Sequence, residues 1–124
     1  MIFAKGTMLV PSGPAHYPDQ KHLHIVCNDT CGLGCNLLVP VSSFYDGCDV
    51  TCELNEDDHP FLRHLSYVFY AKAGIYRATQ ISAGLQTGIV EGMPDLDDAV
   101  FQRVALGVCE SSDTPRKVKT YFGC

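Results

Sequence analysis

The stretch HLHIVCNDTCGLGCNLLVPVSS, residues 22–43, carries two apolar runs on either side of a turn. In the first, Leu23, Ile25 and Cys27 alternate with His22, His24 and Val26, the period of two that marks a strand. Cys27 lies on the apolar face and reads as a small buried hydrophobe, a common fate of free cysteine. The two histidines read as a solvent-facing pair on the other face. The second run, NLLVPVSS (36–43), suits a central strand, although Pro40 lacks a donor and implies an edge position or a bulge there. A strand, a turn and a second strand predict an antiparallel sheet.

The same stretch raises the question of metal or redox chemistry. Cys27, Cys31 and Cys35 are separated by three residues each, as are Cys48 and Cys52. Zinc and iron–sulfur sites announce themselves by paired C-x2-C knuckles or a known cluster spacing. Neither occurs. Cys31 and Cys35 flank Gly-Leu-Gly and share a metal only if that turn folds back. Seven cysteines is an odd count and Cys124 is the last residue, so a full disulfide framework is not available. Packing is the favoured role, and neither a metal nor a cofactor is expected.

Outward from this unit, TMLVP (7–11) reads as an earlier strand, followed by a Pro/Gly-rich polar loop through PSGPAHYPDQK. Loops of this length in compact domains are usually functional or mobile. CDVTCEL (48–54) alternates Val50, Cys52 and Leu54 against Asp49, Thr51 and Glu53. SYVFYAKA (66–73) and GIYRATQIS (74–82) are rich in aromatic and β-branched residues, predicting two strands or one bent strand. After Pro94 the period changes. Leu96, Val100, Val104 and Val108 recur four apart, an amphipathic helix with acids at its start. Thr114 and Pro115 begin a second helix. The expected fold is α+β, a small antiparallel SH3-like barrel over about 1–92 with a helical C-terminal part over about 94–124, all in one domain.

Composition limits the function classes. With 46% hydrophobic and 19% charged residues, the 124-residue chain is an ordinary globular domain with enough length for a core. No apolar run is long enough to cross a membrane, and the start MIFAKGTMLV does not look like a secretory signal. A cytoplasmic protein with reduced thiols and no membrane partner is expected. The net charge of −5 argues against broad electrostatic binding of nucleic acid, DNA included, while leaving room for a local basic groove.

KGTMLVPSGP, a polar loop, KHLHIVCND, NLLVPVSS, DVTCEL, a strand ending in GIYRA and a terminal amphipathic helix together resemble the MazF/PemK-type toxins, across nearly the whole chain. That resemblance implies a small-barrel, homodimeric, metal-independent endoribonuclease of a toxin–antitoxin system. It would act on single-stranded RNA and be neutralised by a cognate antitoxin. In that family a basic residue at the start of the second strand and a hydroxyl at the end of the third flank the scissile phosphate. Lys21 falls at the basic position, with His22 where proline is usual, and Ser42 falls at the hydroxyl position beside Ser43. Lysine gives a point charge where arginine would give a bidentate clamp.

Metal-free RNA cleavage needs a base for the 2′-OH, positive charge for the phosphorane and an acid for the leaving oxygen. Lys21 and Ser42 would supply charge and a phosphate contact. His16 in the loop or His22 on the strand would serve as acid or base, histidine being the side chain that titrates near neutrality. Tyr17, Ser43, Phe44 and Tyr45 are the candidate RNA-binding residues, the aromatics stacking on unpaired bases or packing the barrel rim. DDHPFLRH (57–64) is a separate cluster, read either as an acid–base or metal-binding group or as a capped turn anchored by Phe61 and Leu62. The alternative to a nuclease is a non-catalytic small-barrel module that holds a protein partner.

Overall fold

In a computed structural model, which describes residues 1–124, the chain forms one seven-stranded antiparallel sheet and three helices. The strands are β1 (Thr7–Pro11), β2 (Lys21–Val26), β3 (Cys35–Ser43), β4 (Glu53–Leu54), β5 (Ser66–Val68), β6 (Gly74–Arg77) and β7 (Glu91–Met93). Helix α1 is Ala78–Thr87, α2 is Asp98–Glu110 and α3 is Arg116–Phe122. The sheet runs β4-β5-β3-β2-β1-β7, with β6 also on β3.

The α+β class is as expected, but the barrel closure is not formed, because the terminal strands β4 and β7 do not pair with each other. The long strand β3 is the axis of the sheet. It pairs β2 on one side, and on the other β6 through Cys35–Leu38 and β5 through Val41–Ser43. Pro40 sits in the gap between those two partners. Its carbonyl accepts from Phe69 N–H at 2.8 Å, and the donor it lacks would point to the same side, where no ladder partner calls for one. A proline therefore occupies a central strand without an edge position.

The main core lies on one face of the sheet under α2. Leu23, Ile25, Cys27, Leu37, Val39 and Val41 from the strands meet Val100, Phe101, Val104 and Val108 from the helix. The four-residue spacing makes α2 amphipathic, and Asp98 in its first turn pairs with Lys5. Burial in this apolar setting pushes the Cys27 thiol up to about 12, so it stays protonated and inert.

The opposite face is covered by α1, which the β-branched composition of GIYRATQIS disguises as strand. Ile81 packs there on Met8, Val26 and Leu38, with Leu85 and Val90 beside it. The helix stops at Gly88, whose φ of 79° is the left-handed conformation that ends helices. The reading of β2 is also corrected: His24 is not solvent-facing but 3% exposed, beside Pro40, Phe69 and Tyr76.

In the segment 48–54, only Glu53 and Leu54 are strand. Asp49 turns the chain by accepting from Thr51 N–H and from Ser111 Oγ–H, which leaves Val50 exposed while Cys52 and Leu54 stay buried. The thiols also depart from the all-reduced expectation, because Cys109 and Cys124 form a disulfide that ties the end of α2 to the end of the chain. No helix is long and apolar enough to cross a membrane.

Candidate functional site

The start of β2, the end of β3 and the loop before β5 enclose a pocket of about 310 Å³, lined among others by Lys21, His22, Ser42, Ser43, Arg63 and His64. Each arrives for a local reason. Lys21 and His22 begin β2, where the chain leaves the polar loop and enters the ladder opposite Pro11 and Val10. Ser42 and Ser43 end β3, where the apolar run gives way to hydroxyls, and pair with Tyr67 and Ser66. Arg63 and His64 follow Leu62, which is buried and pins their loop to the core.

A second pocket of about 250 Å³ shares His22 and Ser42 with the first and continues past Ser12, His24, Phe69, Lys72 and Tyr76. The two adjoin at those residues as a groove through the split between the ends of β2 and β3, one part on the α2 face of the sheet and the other on the opposite face. No aspartate or glutamate lines either part, although acids outnumber bases 14 to 9 in the chain. The groove is a local cationic, imidazole-rich surface on an acidic protein.

Within it, Ser43 Oγ and His64 Nε2 lie 2.8 Å apart. His22 Nδ1 lies 2.8 Å from Ser12 Oγ, which is also within reach of the Val10 carbonyl. His24 Nδ1 donates to the His22 carbonyl at 2.9 Å, which fixes Nε2 as the acceptor nitrogen of a neutral ring. Desolvation of this buried ring lowers its pKa and keeps it uncharged. Lys21 Nζ is paired with Glu91 of β7 at 3.0 Å. Arg63 donates to the Pro60 carbonyl at 2.9 Å and, like Lys72, pairs with no carboxylate, so both have charge to spare.

Of the residues singled out in the sequence, Lys21, His22, Ser42 and Ser43 line the groove. His16 and Tyr17 do not; both are exposed in the 12–20 loop. Phe44 and Tyr45 lie just past β3 and line neither part. Tyr45 instead packs edge-on against Tyr67, ring centres 5.8 Å apart. Its place at the groove is taken by Phe61, half-exposed on the wall.

The DDHPFLRH cluster is split by the fold. His59 turns inward and is 2% exposed. Its Nδ1 accepts from Phe61 N–H at 3.0 Å and its Nε2–H donates to the Pro94 carbonyl at 2.9 Å, with Thr7 Oγ also 2.9 Å away. Asp58 pairs with Arg103 of α2. Arg63 and His64 join Lys21 and Ser43 from across the sheet, a meeting of two clusters that spacing in the chain does not reveal. Nowhere do three His, Cys, Asp or Glu side chains converge as a metal ion would require.

Chemically, the groove offers a guanidinium for an anion, hydroxyls at strand ends, two imidazoles for proton transfer and aromatic surface. It lacks one part of a serine-hydrolase triad, since no carboxylate orients His64. No protein-family model matches the chain, and no curated protein or solved structure matches it either.

Proposed function

We propose that the protein is a metal-independent endoribonuclease of MazF/PemK-like type that cuts single-stranded RNA in the groove between Lys21 and His64. The observation that carries this reading is the carboxylate-free groove holding Arg63, Lys21, Lys72 and three histidines on a chain of net charge −5. Such a surface suits a phosphodiester.

RNA supplies its own nucleophile in the 2′-OH, so Ser43 is not needed as one. His64 and His22 take the roles of base and acid, and Arg63 stabilises the phosphorane with a planar fork that lysine lacks. Lys21 contributes a weaker field because Glu91 partly neutralises it. Ser42 and Ser43 hold phosphate oxygens. A neutralising antitoxin, a homodimer and a cytoplasmic setting belong to the same reading.

The test is incubation of purified protein with end-labelled single-stranded RNA in excess chelator. The expected products carry 2′,3′-cyclic phosphate and 5′-hydroxyl ends, and a substrate with 2′-deoxyribose at the cut site stays intact. Arg63→Ala lowers the rate by about 10²-fold, the scale for losing one preorganised charge contact. Intact RNA under these conditions, or cleavage indifferent to Arg63→Ala, refutes the assignment.

The second reading, a non-catalytic module for a protein partner, is favoured by a separate cavity of about 690 Å³ between β4 and α2. Val50, Leu65 and Leu106 on its walls are large apolar side chains left exposed. Intact RNA together with a partner lost on Leu106→Glu would support it.

A further inference from the structure

We propose that Cys31 and Cys35 form a thiol–disulfide exchange site at the tip of the β2–β3 hairpin, Cys31 attacking and Cys35 resolving, with a small-molecule disulfide of the glutathione class as reactant. The site shares no residue with the groove and does not depend on the nuclease reading.

The geometry comes from the turn itself. Gly34 N–H donates to the Cys31 carbonyl at 2.8 Å, and Cys31 N–H donates to the Cys35 carbonyl at 2.9 Å. Gly34 has φ of 78°, the left-handed residue that a three-residue hairpin loop requires. The turn therefore does fold back, and the two cysteines that flank it become cross-strand neighbours. Such neighbours have Cα atoms about 5.5 Å apart, inside the span of about 4.4–6.8 Å that a disulfide bridges. Both thiols are half-exposed, whereas Cys27, Cys48 and Cys52 are buried.

Tyr121 of α3 gives the pair its chemistry. Its hydroxyl accepts from Asn28 Nδ2 at 3.0 Å and donates to the Cys35 carbonyl at 2.9 Å. Asn28 is in turn fixed by Leu37 N–H at 2.7 Å. The phenol is thus held at the hairpin tip, against the Cys35 end of the turn. Burial raises the Tyr121 pKa and keeps it a donor. Hydrogen bonding at Tyr121, which carries one proton and serves Cys31 only when it turns from the Cys35 carbonyl, and at backbone N–H groups of the turn pulls Cys31 below the usual thiol range. The Cys109–Cys124 disulfide anchors the end of α3 three residues beyond Tyr121.

In the reaction, the Cys31 thiolate attacks one sulfur of the small disulfide, forming a mixed disulfide and releasing one thiolate. Cys35, on losing its proton to solvent, attacks the Cys31 sulfur and releases the second. The protein pair is oxidised by two electrons and the reactant is reduced to two thiols.

The experiment treats the full-length chain with oxidised glutathione and maps its cysteines by peptide mass spectrometry. The wild type is expected to close a Cys31–Cys35 bond with little glutathione retained. Cys35→Ser, which leaves α3 untouched, is expected to trap glutathione on Cys31. Tyr121→Phe is expected to slow alkylation of Cys31 by iodoacetamide several-fold. Glutathione spread evenly over Cys31 and Cys35, no trapping in Cys35→Ser, or a stable mixed disulfide in the wild type overturns the proposal.

Discussion

Ser43 Oγ and His64 Nε2 lie 2.8 Å apart, joining the last residue of β3 to the loop before β5, while Nδ1 of the same ring has no partner within the protein. A serine nucleophile would need that ring oriented by a third group. A proton carrier for an RNA 2′-OH needs only reach. His64→Ala is therefore expected to lower RNA cleavage by about 10²–10⁴-fold, the range for a general acid or base. Ser43→Ala removes one hydrogen bond, worth about 1 kcal/mol or less than tenfold. Single-turnover cleavage rates of the two variants decide it. Equal losses would move the chemistry to a Ser43 nucleophile.

The fit of Tyr70 against α2 makes a second prediction. Tyr70 is fully buried, its hydroxyl donates to the Val104 carbonyl at 2.7 Å, and a Cβ placed on Gly107 would stand 1.9 Å from that oxygen. Gly107→Ala must push the helix or the ring aside and is expected to destabilise by about 1–3 kcal/mol, the usual scale of overpacking. Tyr70→Phe loses the hydrogen bond and costs about 1 kcal/mol. Because the phenylalanine also removes the nearest clashing atom, the double variant should cost less than the sum. Chemical denaturation of the three variants measures the coupling, and strict additivity would contradict the contact.

The sheet and α2 were legible because their periods are strong. Leu23, Ile25 and Cys27 alternate without interruption, and Val100, Val104 and Val108 stay on one stripe. Ile75 and Tyr76 do form strand β6, and helix α1 was hidden because Thr79 and Ile81 continue the same strand propensity, so that only its tertiary role, covering Met8, Val26 and Leu38, decides the conformation. His24 is buried on the same face, whose pattern suggests solvent, beside Pro40, Phe69 and Tyr76, a neighbourhood that only the fold creates. Half of the groove was legible too: Lys21, His22, Ser42 and Ser43 are the positions that the MazF/PemK resemblance implies, and they line it. Arg63 and His64 were not, since they reach it from about 20 residues beyond Ser43 through the pairing of β3 with β5. Cys109 and Cys124 carry no motif at all, and their meeting depends on the turn between α2 and α3.

That disulfide closes a loop over a sequence separation of 15 residues. Constraining the unfolded chain over such a loop contributes about 3 kcal/mol in the chain-entropy account. Cys124→Ser, or a reductant with the wild type, is expected to lower the melting temperature by similar amounts, with no further effect of reductant on the variant. Because only α3 lies inside the loop, amides of Arg116–Phe122 should lose hydrogen-exchange protection first. Unchanged melting in reductant would show that the bond contributes nothing to stability.

His59 and His24 give the fold a pH dependence whose sign follows from their surroundings. Burial lowers the pKa of both rings below the ordinary histidine value. For His59 the hydrogen bonds state the reason in atoms: Nδ1 accepts from Phe61 N–H, so a proton placed there would break that bond and leave a charge in the core. Below a pH of about 6.5 the unfolded chain takes up protons at these rings while the folded chain does not, so stability falls as pH falls. The loss continues until the folded-state pKa values are passed. Each ring contributes a slope of at most about 1.4 kcal/mol per pH unit. Between about pH 6.5 and 5, above most carboxylate titrations, unfolding free energy measured by denaturant should decline. His59→Gln, whose amide retains a donor for the Pro94 carbonyl, should reduce the slope by about half if the two rings contribute equally. A slope unchanged by His59→Gln would mean that the His59 ring is charged in the folded protein, and the Phe61 bond would then be absent.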